Sequence, residues 1–512
     1  MILQTLNSNR ISKDIELNRC RAIMKKIMFL IGCSITVSLI SMTNINYLYA
    51  RTDYNDTMMK VDALFTDWDN PNSPGCALMV IKDGAILYTR GYGMADLEHD
   101  IPITSNTVFY IGSVSKQFVA MCILLLEEEG KLSLNDDIRN FLPEFPDYNV
   151  PIKIQHLIYH TSGIRDYFTL WELAGNSYLD YMPEEAVYKL ICSQKELNFT
   201  PGEERLYSNS GYFLLSIIIK KASGKSLKEY AQEKIFNVLG MANSHFHDNN
   251  MHIVKNRAFG YTQSPEGKFA NLIMRFDLIG SGGLYTTIKD LFLWDQNFYH
   301  NRLGTSGSAL IQRMLRRGKL NCGEEVYYAF ALIIGKYREA NTVEHSGALG
   351  GYRAHLLRFP DYRFSVIILS NLENFKPSPL AYKVADIYLG NQLGQPLAEK
   401  SKEQPANQQG AENLAELKTG SIQLTQEQLD EYVGVYYSDE LKTIYNIVAD
   451  QGKLYVQIKN NPRNEMQFID KDSFEGFIKI RFQRDSANDV VGFIMGSGRI
   501  KNVKFSRIYF HG

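Results

Sequence analysis

Residues 109–118 read FYIGSVSKQF, with a serine and a lysine three residues apart directly after a short apolar segment. Ser113 follows Gly112 and precedes residues that favour a helix, so a helix is predicted to begin near Ser113. Residues i and i+3 share one face of a helix, which brings the Lys116 amine within reach of the Ser113 hydroxyl. This spacing occurs about once or twice by chance in a chain of this length, and a helix N-cap explains it equally well. The segment alone leaves both interpretations open.

Two later segments place polar residues beside glycines, in positions typical of loops or strand edges. Tyr207 and Asn209 stand in ERLYSNSGY, and His345 and Gly347 stand in VEHSGALGGYRAH. With the first segment they form the ordered patterns S-x-x-K, Y-x-N and H-x-G. The choice between a nucleophile and a simple cap at Ser113 then depends on what these three ordered motifs resemble.

In these motifs the chain resembles the serine hydrolases of the β-lactamase and penicillin-binding protein superfamily, particularly the class C β-lactamase, D-aminopeptidase and esterase branch. The resemblance covers roughly residues 55–395, and HTSGI at 160–164 and GSGGLYTTIKDL at 280–291 also look like recurring segments of that family. It implies a serine hydrolase that acts without a cofactor.

The resemblance also implies a role for each motif residue. Ser113 is the expected nucleophile, and it needs an adjacent base because serine is weakly nucleophilic at its own pKa. Lys116 and Tyr207 are the expected catalytic partners, and which of them is the formal base stays open. Asn209 is expected to hold Lys116 and the substrate amide, the alternative being that it caps the helix predicted near Gly211.

In the family, the oxyanion hole is built from two backbone amides, which correspond here to Ser113 and Ala348. Gly347 gives a substrate strand room to approach, and His345 is expected to bind substrate. β-Lactamases usually carry lysine at the position of His345, whereas histidine, with a pKa of ~6.5, is largely neutral at pH 7. Hydrolysis of β-lactams is therefore less expected than hydrolysis of a peptide or an ester.

No metal or cofactor site is predicted elsewhere. His99, His156 and His355 show no ligand spacing to one another, and the sequence contains no H-E-x-x-H motif. His160 is expected to be structural, with its imidazole bonding inside the HTSG turn, and the glycines of residues 280–283 are expected to form a turn beneath the pocket.

The order of strand-like and helix-like segments predicts an α+β fold. CALMVIKDGAILYTRGYG at 76–93 predicts two strands around an Asp-Gly turn. Helical patterns follow at 113–130, 184–194 and 211–239, and strand patterns return between 327 and 372. We therefore expect a β-lactamase-like sandwich, an antiparallel sheet flanked by helices with an all-helical subdomain, followed by a small antiparallel β-barrel at the C-terminus.

Composition and motifs together divide the chain into four segments. The predicted segments are an N-terminal extension and signal peptide at 1–50, the hydrolase domain at 51–395, a linker at 396–421 and a lipocalin-like β-barrel at 422–512. The formal charge of -1, from 55 basic and 56 acidic residues, excludes an electrostatic footprint for nucleic acid.

The N-terminal segment predicts export. Lys25 and Lys26 precede the apolar stretch Ile27–Met42, which is short for a membrane span, and small or polar residues follow up to Ala50. Cleavage after Ala50, lipidation at Cys33 and retention as an anchor all remain open, so a periplasmic or membrane-associated protein of a bacterium is expected.

These observations predict an exported serine hydrolase that cleaves amide or ester bonds through an acyl-enzyme. The expected substrates are small molecules or peptides, particularly D-amino-acid peptides and cell-wall fragments. A β-lactamase or D,D-carboxypeptidase with the same chemistry is the nearest alternative. A penicillin-recognising sensor that acylates without turnover is an alternative from another class.

Overall fold

The computed structural model describes residues 55–394 and 424–509, together with residues 22, 24–26 and 28. Met1–Leu64 and Phe65–Gly512 form two separate compact units, and residues 55–63 of the first unit are helical. The predicted linker at 396–421 lies outside the described residues, as does the predicted N-terminal extension and signal peptide at 1–50 apart from residues 22, 24–26 and 28. Within the described ranges, no helix combines the length and the apolar character needed to cross a membrane.

The centre of the second unit is a six-stranded antiparallel sheet. Its strands, in spatial order, are Ile333–Tyr337, Ala340–Leu349, Tyr352–Phe359, Phe364–Ser370, Cys76–Lys82 and Ala85–Tyr92. The predicted hairpin closes through Asp83 and Gly84, whose φ angles of 51° and 82° fit the tight turn that Asp-Gly favours. Strand Phe364–Ser370 is buried along its whole length, in keeping with its mostly apolar sequence, FSVIILS.

Helices pack against the sheet and form a separate helical region that carries several of the predicted site residues. The α-helices of this domain are Lys116–Glu128, Ile154–Ile158, Tyr167–Leu173, Glu184–Cys192, Asn209–Ser223, Leu227–Ala231, Asn237–Leu239, Ile288–Asn297, Ser308–Met314 and Pro377–Leu389. A π-helical turn covers Gln232–Phe236, and 3₁₀ turns cover Thr66–Trp68, Gly112–Ser115, Ile138–Asn140, Pro360–Tyr362 and Gly390–Leu393. Short strands pair as Met94–Asp96 with Ile101–Pro102, Tyr261–Gln263 with Phe269–Asn271, and Leu284–Thr286 with both Phe109–Tyr110 and His245–Phe246.

Three predicted boundaries differ from the structure. The helix predicted from Ser113 begins as a 3₁₀ turn and becomes α-helical only at Lys116. The helix predicted over 211–239 ends at Ser223, because Gly224 adopts a φ of 74° and caps it. The strand predicted from 327 starts at Ile333, after Ala331 takes a left-handed φ of 56°.

A closed barrel of eight antiparallel strands forms the C-terminal domain and confirms the predicted fold class. The short helix Gln426–Asp430 precedes it, and its strands are Gly434–Ser438, Thr443–Asp450, Lys453–Ile458, Asn464–Asp470, Ser473–Glu475, Lys479–Arg484, Val490–Ser497 and Ile500–Ile508. Alternating side chains fill its core with aromatic rings, for example Tyr436 and Phe493 with ring centroids 5.0 Å apart. The sequence patterns did not predict Asn464–Asp470, because Met466 is its only buried residue and no alternation appears.

The barrel packs directly onto the helical region. Arg165 donates a hydrogen bond to Glu440 at 2.6 Å, and both side chains are buried. The Tyr445 hydroxyl donates to the carbonyl oxygen of Leu173 at 2.8 Å, and Leu170 joins the hydrophobic core of the barrel. The two domains therefore share a core as well as a buried ion pair.

Candidate active site

Ser113 lies within the 3₁₀ turn Gly112–Ser115, and Lys116 is the first residue of the α-helix that follows. Gly112 adopts a φ of 52°, a conformation that glycine takes without strain. Side chains at i and i+3 eclipse in a 3₁₀ turn, and the Lys116 Nζ accordingly lies 2.9 Å from the Ser113 Oγ. Ser113 is partly exposed whereas Lys116 is fully buried, so the hydroxyl faces the solvent side of the pair.

Lys116 meets three oxygen atoms, and two of them can only accept hydrogen bonds. These two are the Asn209 Oδ1, at 2.9 Å, and the Ser281 carbonyl oxygen. A neutral amine has two N–H groups, enough for both acceptors, and its lone pair is then left for the Ser113 hydroxyl. Burial, assisted by the positive charge of Arg499 and opposed by Asp166, lowers the pKa of Lys116 well below its usual value. The geometry and the electrostatics both favour a neutral lysine that accepts the serine proton.

Tyr207 contacts the same pair from the other side. Its ring centroid lies 5.1 Å from the Lys116 Nζ. Loss of solvent raises the pKa of Tyr207 to about 12, against the effect of its hydrogen bond with Ser113. Tyr207 is therefore a neutral phenol at pH 7, able to relay a proton and to hydrogen-bond the nucleophile.

His160 packs against Tyr207. The sequence interpretation expected its imidazole to bond within the HTSG turn, and that expectation is wrong. The His160 ring centroid lies 4.1 Å from that of Tyr207, and its Nδ1 accepts a hydrogen bond from the Ser208 amide at 3.2 Å. The sequence pattern did not predict this contact because the two segments are far apart in the chain.

Asn209 is oriented by a carboxylate that the sequence interpretation missed. The Asp166 Oδ2 accepts from the Asn209 backbone nitrogen at 2.6 Å and from its Nδ2 at 2.8 Å. With the amide nitrogen held there, the amide oxygen faces Lys116. Asn209 is the first residue of its helix and Ser208 is the N-cap, so the alternative role of Asn209 as the cap is wrong.

The strand Ala340–Leu349 brings the third motif against the nucleophile. A Cβ on Gly347 would collide with the carbonyl oxygen of Ile111 and lie 3.0 Å from the Ser113 nitrogen. A Cβ on Gly112 would lie 2.5 Å from the Ala348 nitrogen. Glycine is thus required on both sides of this contact, which places the Ser113 and Ala348 amides in adjoining backbone, as an oxyanion hole needs.

His345 belongs to the same strand and is buried, with both ring nitrogens engaged. Its Nδ1 lies 2.7 Å from the Ser346 carbonyl oxygen and must donate to it, so its Nε2 accepts from the Tyr328 hydroxyl at 2.9 Å. Burial, with Lys116 as a further cause, lowers the pKa of His345 to about 3. The histidine is neutral at pH 7, and its exposed fraction of 3% leaves little surface for a substrate carboxylate.

The segment predicted as a turn beneath the pocket supplies a direct contact to Lys116. Besides the Ser281 carbonyl, the Ser281 hydroxyl hydrogen-bonds Tyr167 at 2.8 Å. The Tyr110 hydroxyl accepts from the Gly283 nitrogen at 3.2 Å. Because the contact with Lys116 uses a carbonyl group, which every residue type carries, no side-chain pattern could have identified it.

One further residue reaches the site from the barrel. The Arg499 guanidinium carbon lies 4.7 Å from the centroid of the Tyr207 ring, and its Nη1 lies 3.7 Å from the Asp166 Oδ2. The turn sequence Gly498-Arg499 carries no motif, so only the folded structure reveals this residue.

Comparison with known proteins gives a consistent result. A family model described as Beta-lactamase matches residues 61–388. Penicillin-binding protein 4* of Bacillus subtilis (strain 168) is 31% identical over 309 residues, which cover 58% of this chain and 68% of that protein. A D-aminopeptidase of Gluconobacter oxydans (strain 621H) is 30% identical over 304 residues, and the match covers 58% of this chain but only 56% of the relative's length.

A solved structure extends the likeness to the barrel. The octameric penicillin-binding protein homologue from Pyrococcus abyssi superimposes with a TM-score of 0.58, covering 88% of this chain and 98% of that chain. At 22% sequence identity this match speaks for the fold alone.

Proposed function

Because the chain belongs to the Beta-lactamase family, we propose that it is a serine hydrolase that works through an acyl-enzyme on Ser113. Its relatives include D-aminopeptidases and a penicillin-binding protein, and hydrolysis of an amide is consistent with both. The observation that carries the proposal is the Lys116 amine, fully buried and 2.9 Å from the Ser113 Oγ.

Acylation begins with transfer of the Ser113 proton to Lys116, directly or through Tyr207. The serine oxygen attacks the substrate carbonyl carbon, and the oxyanion that forms accepts hydrogen bonds from the Ser113 and Ala348 amides. The transferred proton then passes to the leaving nitrogen or oxygen as its bond to the carbonyl carbon breaks. A water molecule then gives a proton to the same base and attacks the ester carbonyl carbon. The base returns this proton to the Ser113 oxygen as the ester bond breaks, and the carboxylic acid product leaves.

Peptides that contain D-amino acids, including peptidoglycan fragments, are the substrates that we propose. The names of the D-aminopeptidase relatives support this class. The buried and neutral His345 also supports it, since the site has no permanent charge at the position where β-lactamases usually carry lysine. Esters of comparable size fit the same chemistry.

Export of the protein to the periplasm, or its association with a membrane, completes the proposal. Its support is the Lys25-Lys26 pair followed by the apolar stretch Ile27–Met42. N-terminal sequencing of the protein from cell fractions tests it: a start after Ala50 or at Cys33 in the exported fraction supports export, and a cytoplasmic full-length chain overturns it.

A slow-turnover penicillin-recognising protein is the second candidate. It is favoured by the 31% identity to a penicillin-binding protein. The two candidates share acylation and differ in deacylation. A burst of acyl-enzyme without turnover on β-lactams or on D-amino-acid peptides identifies this second candidate.

Labelling of the full chain with a fluorophosphonate, measured by intact mass, tests the serine nucleophile. We expect a single adduct on the wild type and none on the Ser113→Ala variant. Ser346 supplies a matched control, because its hydroxyl also lies beside a basic side chain, at 2.8 Å from the His355 Nδ1. The Ser346→Ala variant should label like the wild type. An adduct that persists on Ser113→Ala, or no adduct on any protein, contradicts the proposal.

A further inference from the structure

We propose that Arg499, a residue of the barrel, is a positioning residue of the active site that holds Tyr207 and Asp166 in place and sets a fixed positive charge near Lys116. The barrel then completes the catalytic machinery of the other domain. This inference rests on the proposed function, since it assigns Arg499 a part in activating Ser113.

The backbone around Arg499 is anchored to the hydrolase domain by one side chain. The Asn198 Nδ2 donates to the carbonyl oxygen of Arg499 at 2.9 Å, and the Asn198 Oδ1 accepts from the Lys501 amide at 2.7 Å. Gly498, with a φ of 49°, forms the tight turn before Arg499. The backbone on the C-terminal side of Arg499 is thus held by the hydrolase domain.

A second anchor comes from Arg165, the chain neighbour of Asp166. The Arg165 Nε donates to the carbonyl oxygen of Lys501 at 3.0 Å, and its Nη2 donates to that of Asn502 at 3.0 Å. Arg165 therefore holds the barrel while the next residue, Asp166, holds Asn209. A displacement of the barrel turn at residues 498–502 would move Arg165, and the next residue in the chain, Asp166, would transmit that movement to Asn209.

The Arg499 side chain contacts the two residues that orient the site. Its guanidinium lies over the Tyr207 ring, and its Nη1 lies 3.7 Å from the carboxylate of Asp166. Only 19% of this side chain is exposed, and Asp166 is fully buried. A planar cation on the ring face restricts how the Tyr207 phenol can tilt away from Ser113.

The positive charge of Arg499 acts on Lys116 in the direction that the mechanism requires. After burial, Arg499 is the largest cause that lowers the pKa of Lys116, and Asp166 opposes it. The other titratable or charged groups around this position are Tyr207, Tyr212, His160, His345, Tyr328 and Arg205. Burial keeps the tyrosines and histidines of this set neutral at pH 7, because it raises the pKa of the former and lowers that of the latter.

Removal of the Arg499 charge should therefore raise the pKa of Lys116. Lys116 acts as a base only when it is neutral. The acid limb of the pH profile, where the rate of Ser113 labelling rises as Lys116 loses its proton, should therefore move to higher pH. A shift of one unit lowers the rate on the acid limb by about tenfold.

The test is the rate of Ser113 labelling by a fluorophosphonate as a function of pH, on the full chain with wild-type, Arg499→Gln and Arg499→Lys proteins. We expect the acid limb of Arg499→Gln to move upward by about half a unit or more. Arg499→Lys should keep the limb near that of the wild type but lower the plateau rate, because an ammonium lacks the planar contact with Tyr207.

Lys501→Gln is the matched control, since it removes a positive charge two residues away. The Lys501 Nζ pairs with Glu204 at 2.7 Å on the surface, and its loss should leave the pH profile unchanged. Thermal unfolding establishes that each variant is folded. If Arg499→Gln gives no folded protein, Asn198→Ala replaces it, and a smaller upward shift is expected because the turn loses its anchor.

A folded Arg499→Gln or Asn198→Ala variant with the acid limb and plateau of the wild type overturns the inference. If the acid limb of Lys501→Gln moves as far as that of Arg499→Gln, the inference is also overturned. Any nearby positive charge would then have the same effect on Lys116. Failure of the wild type itself to label at Ser113 overturns the proposed function instead, so the two failures are distinguishable.

Discussion

The Asp166 carboxylate accepts two hydrogen bonds from Asn209, one from the backbone nitrogen at 2.6 Å and one from the Nδ2 at 2.8 Å. This pair decides which end of the asparagine amide faces Lys116. It also places a negative charge near the lysine, where it opposes the effect of Arg499.

Asp166→Asn should therefore shift the pH profile in the direction opposite to Arg499→Gln. Loss of the negative charge lowers the pKa of Lys116 further, so the acid limb of Ser113 labelling moves to lower pH. The plateau rate should fall at the same time, because a neutral amide oxygen accepts the two hydrogen bonds from Asn209 more weakly than a carboxylate does. Labelling rates between pH 4 and 9 measure both effects. A limb displaced to higher pH contradicts the electrostatic assignment.

Lys116→Arg should abolish activation of the serine while keeping a positive charge. Arginine does not lose its proton at accessible pH, so the general base is lost and the labelling rate should fall by about 10² to 10⁴. Stopped-flow or quenched labelling of the full chain measures the rate, and circular dichroism checks the fold. Labelling at the wild-type rate would instead point to Tyr207 as the base.

Gly347→Ala should disrupt the oxyanion hole. The added methyl group collides with the carbonyl oxygen of Ile111 and pushes the strand away from Ser113. Loss of one oxyanion donor costs about 10² to 10³ in rate. Gly335→Ala is the control on the neighbouring strand, where a Cβ meets only the Thr342 hydroxyl, at 3.2 Å. Equal rates for the two variants would show that the close contact at Gly347 has no catalytic role.

His345 should make the stability of the protein depend on pH. Its pKa is about 3 in the folded state and about 6.5 in an unfolded chain, so unfolding takes up a proton between these values. The free energy of unfolding should therefore decrease as the pH falls from about 6.5 towards 3.

Urea unfolding of His345→Gln at a series of pH values measures this contribution. The slope of stability against pH should be smaller than in the wild type, whereas His300→Gln, at an exposed histidine, should leave the slope unchanged. An unaltered slope for His345→Gln would mean that the ring is not held neutral by burial.

Glu440→Gln should weaken the contact between the barrel and the hydrolase domain and lower the free energy of unfolding. It leaves the Arg165 guanidinium buried without its carboxylate, and breaking a buried pair in this way costs about 3 to 5 kcal/mol. Lys189→Ala, which breaks an exposed pair with Glu185, should change stability by less than about 1 kcal/mol. Urea unfolding measures the free energy of unfolding of the two variants. Equal losses would show that the buried pair contributes no more to stability than the exposed pair.

Much of this fold is predictable from local patterns. The Asp83-Gly84 turn and the apolar strands beside it follow from residue types that favour one conformation. The Ser113 and Lys116 pair follows from a spacing that brings the side chains together in a 3₁₀ turn as well as in an α-helix.

Other features depend on contacts between distant parts of the chain. Asp166 contacts Asn209 across 43 residues, and Arg499 lies almost 300 residues from Tyr207 in sequence. Neither residue belongs to a local pattern, because ordinary aspartates and arginines occur in many turns. The exposed strand Asn464–Asp470 was missed for a related reason: too few of its side chains are buried to leave an alternating signal.

Arg165 and Asp166 are adjacent in the chain but serve different domains, one bonded to the barrel and the other to the catalytic helix. A truncated enzyme that ends at the linker would keep every motif residue. It would nevertheless leave Arg165 without three of its four hydrogen-bond partners. The three are Glu440 Oε1 and the carbonyl oxygens of Lys501 and Asn502, and only the Gln194 Oε1 would remain. Fusion proteins and crystallisation fragments should therefore retain residues 424–509, because the contacts of the candidate site extend beyond residues 61–388, which the family model matches.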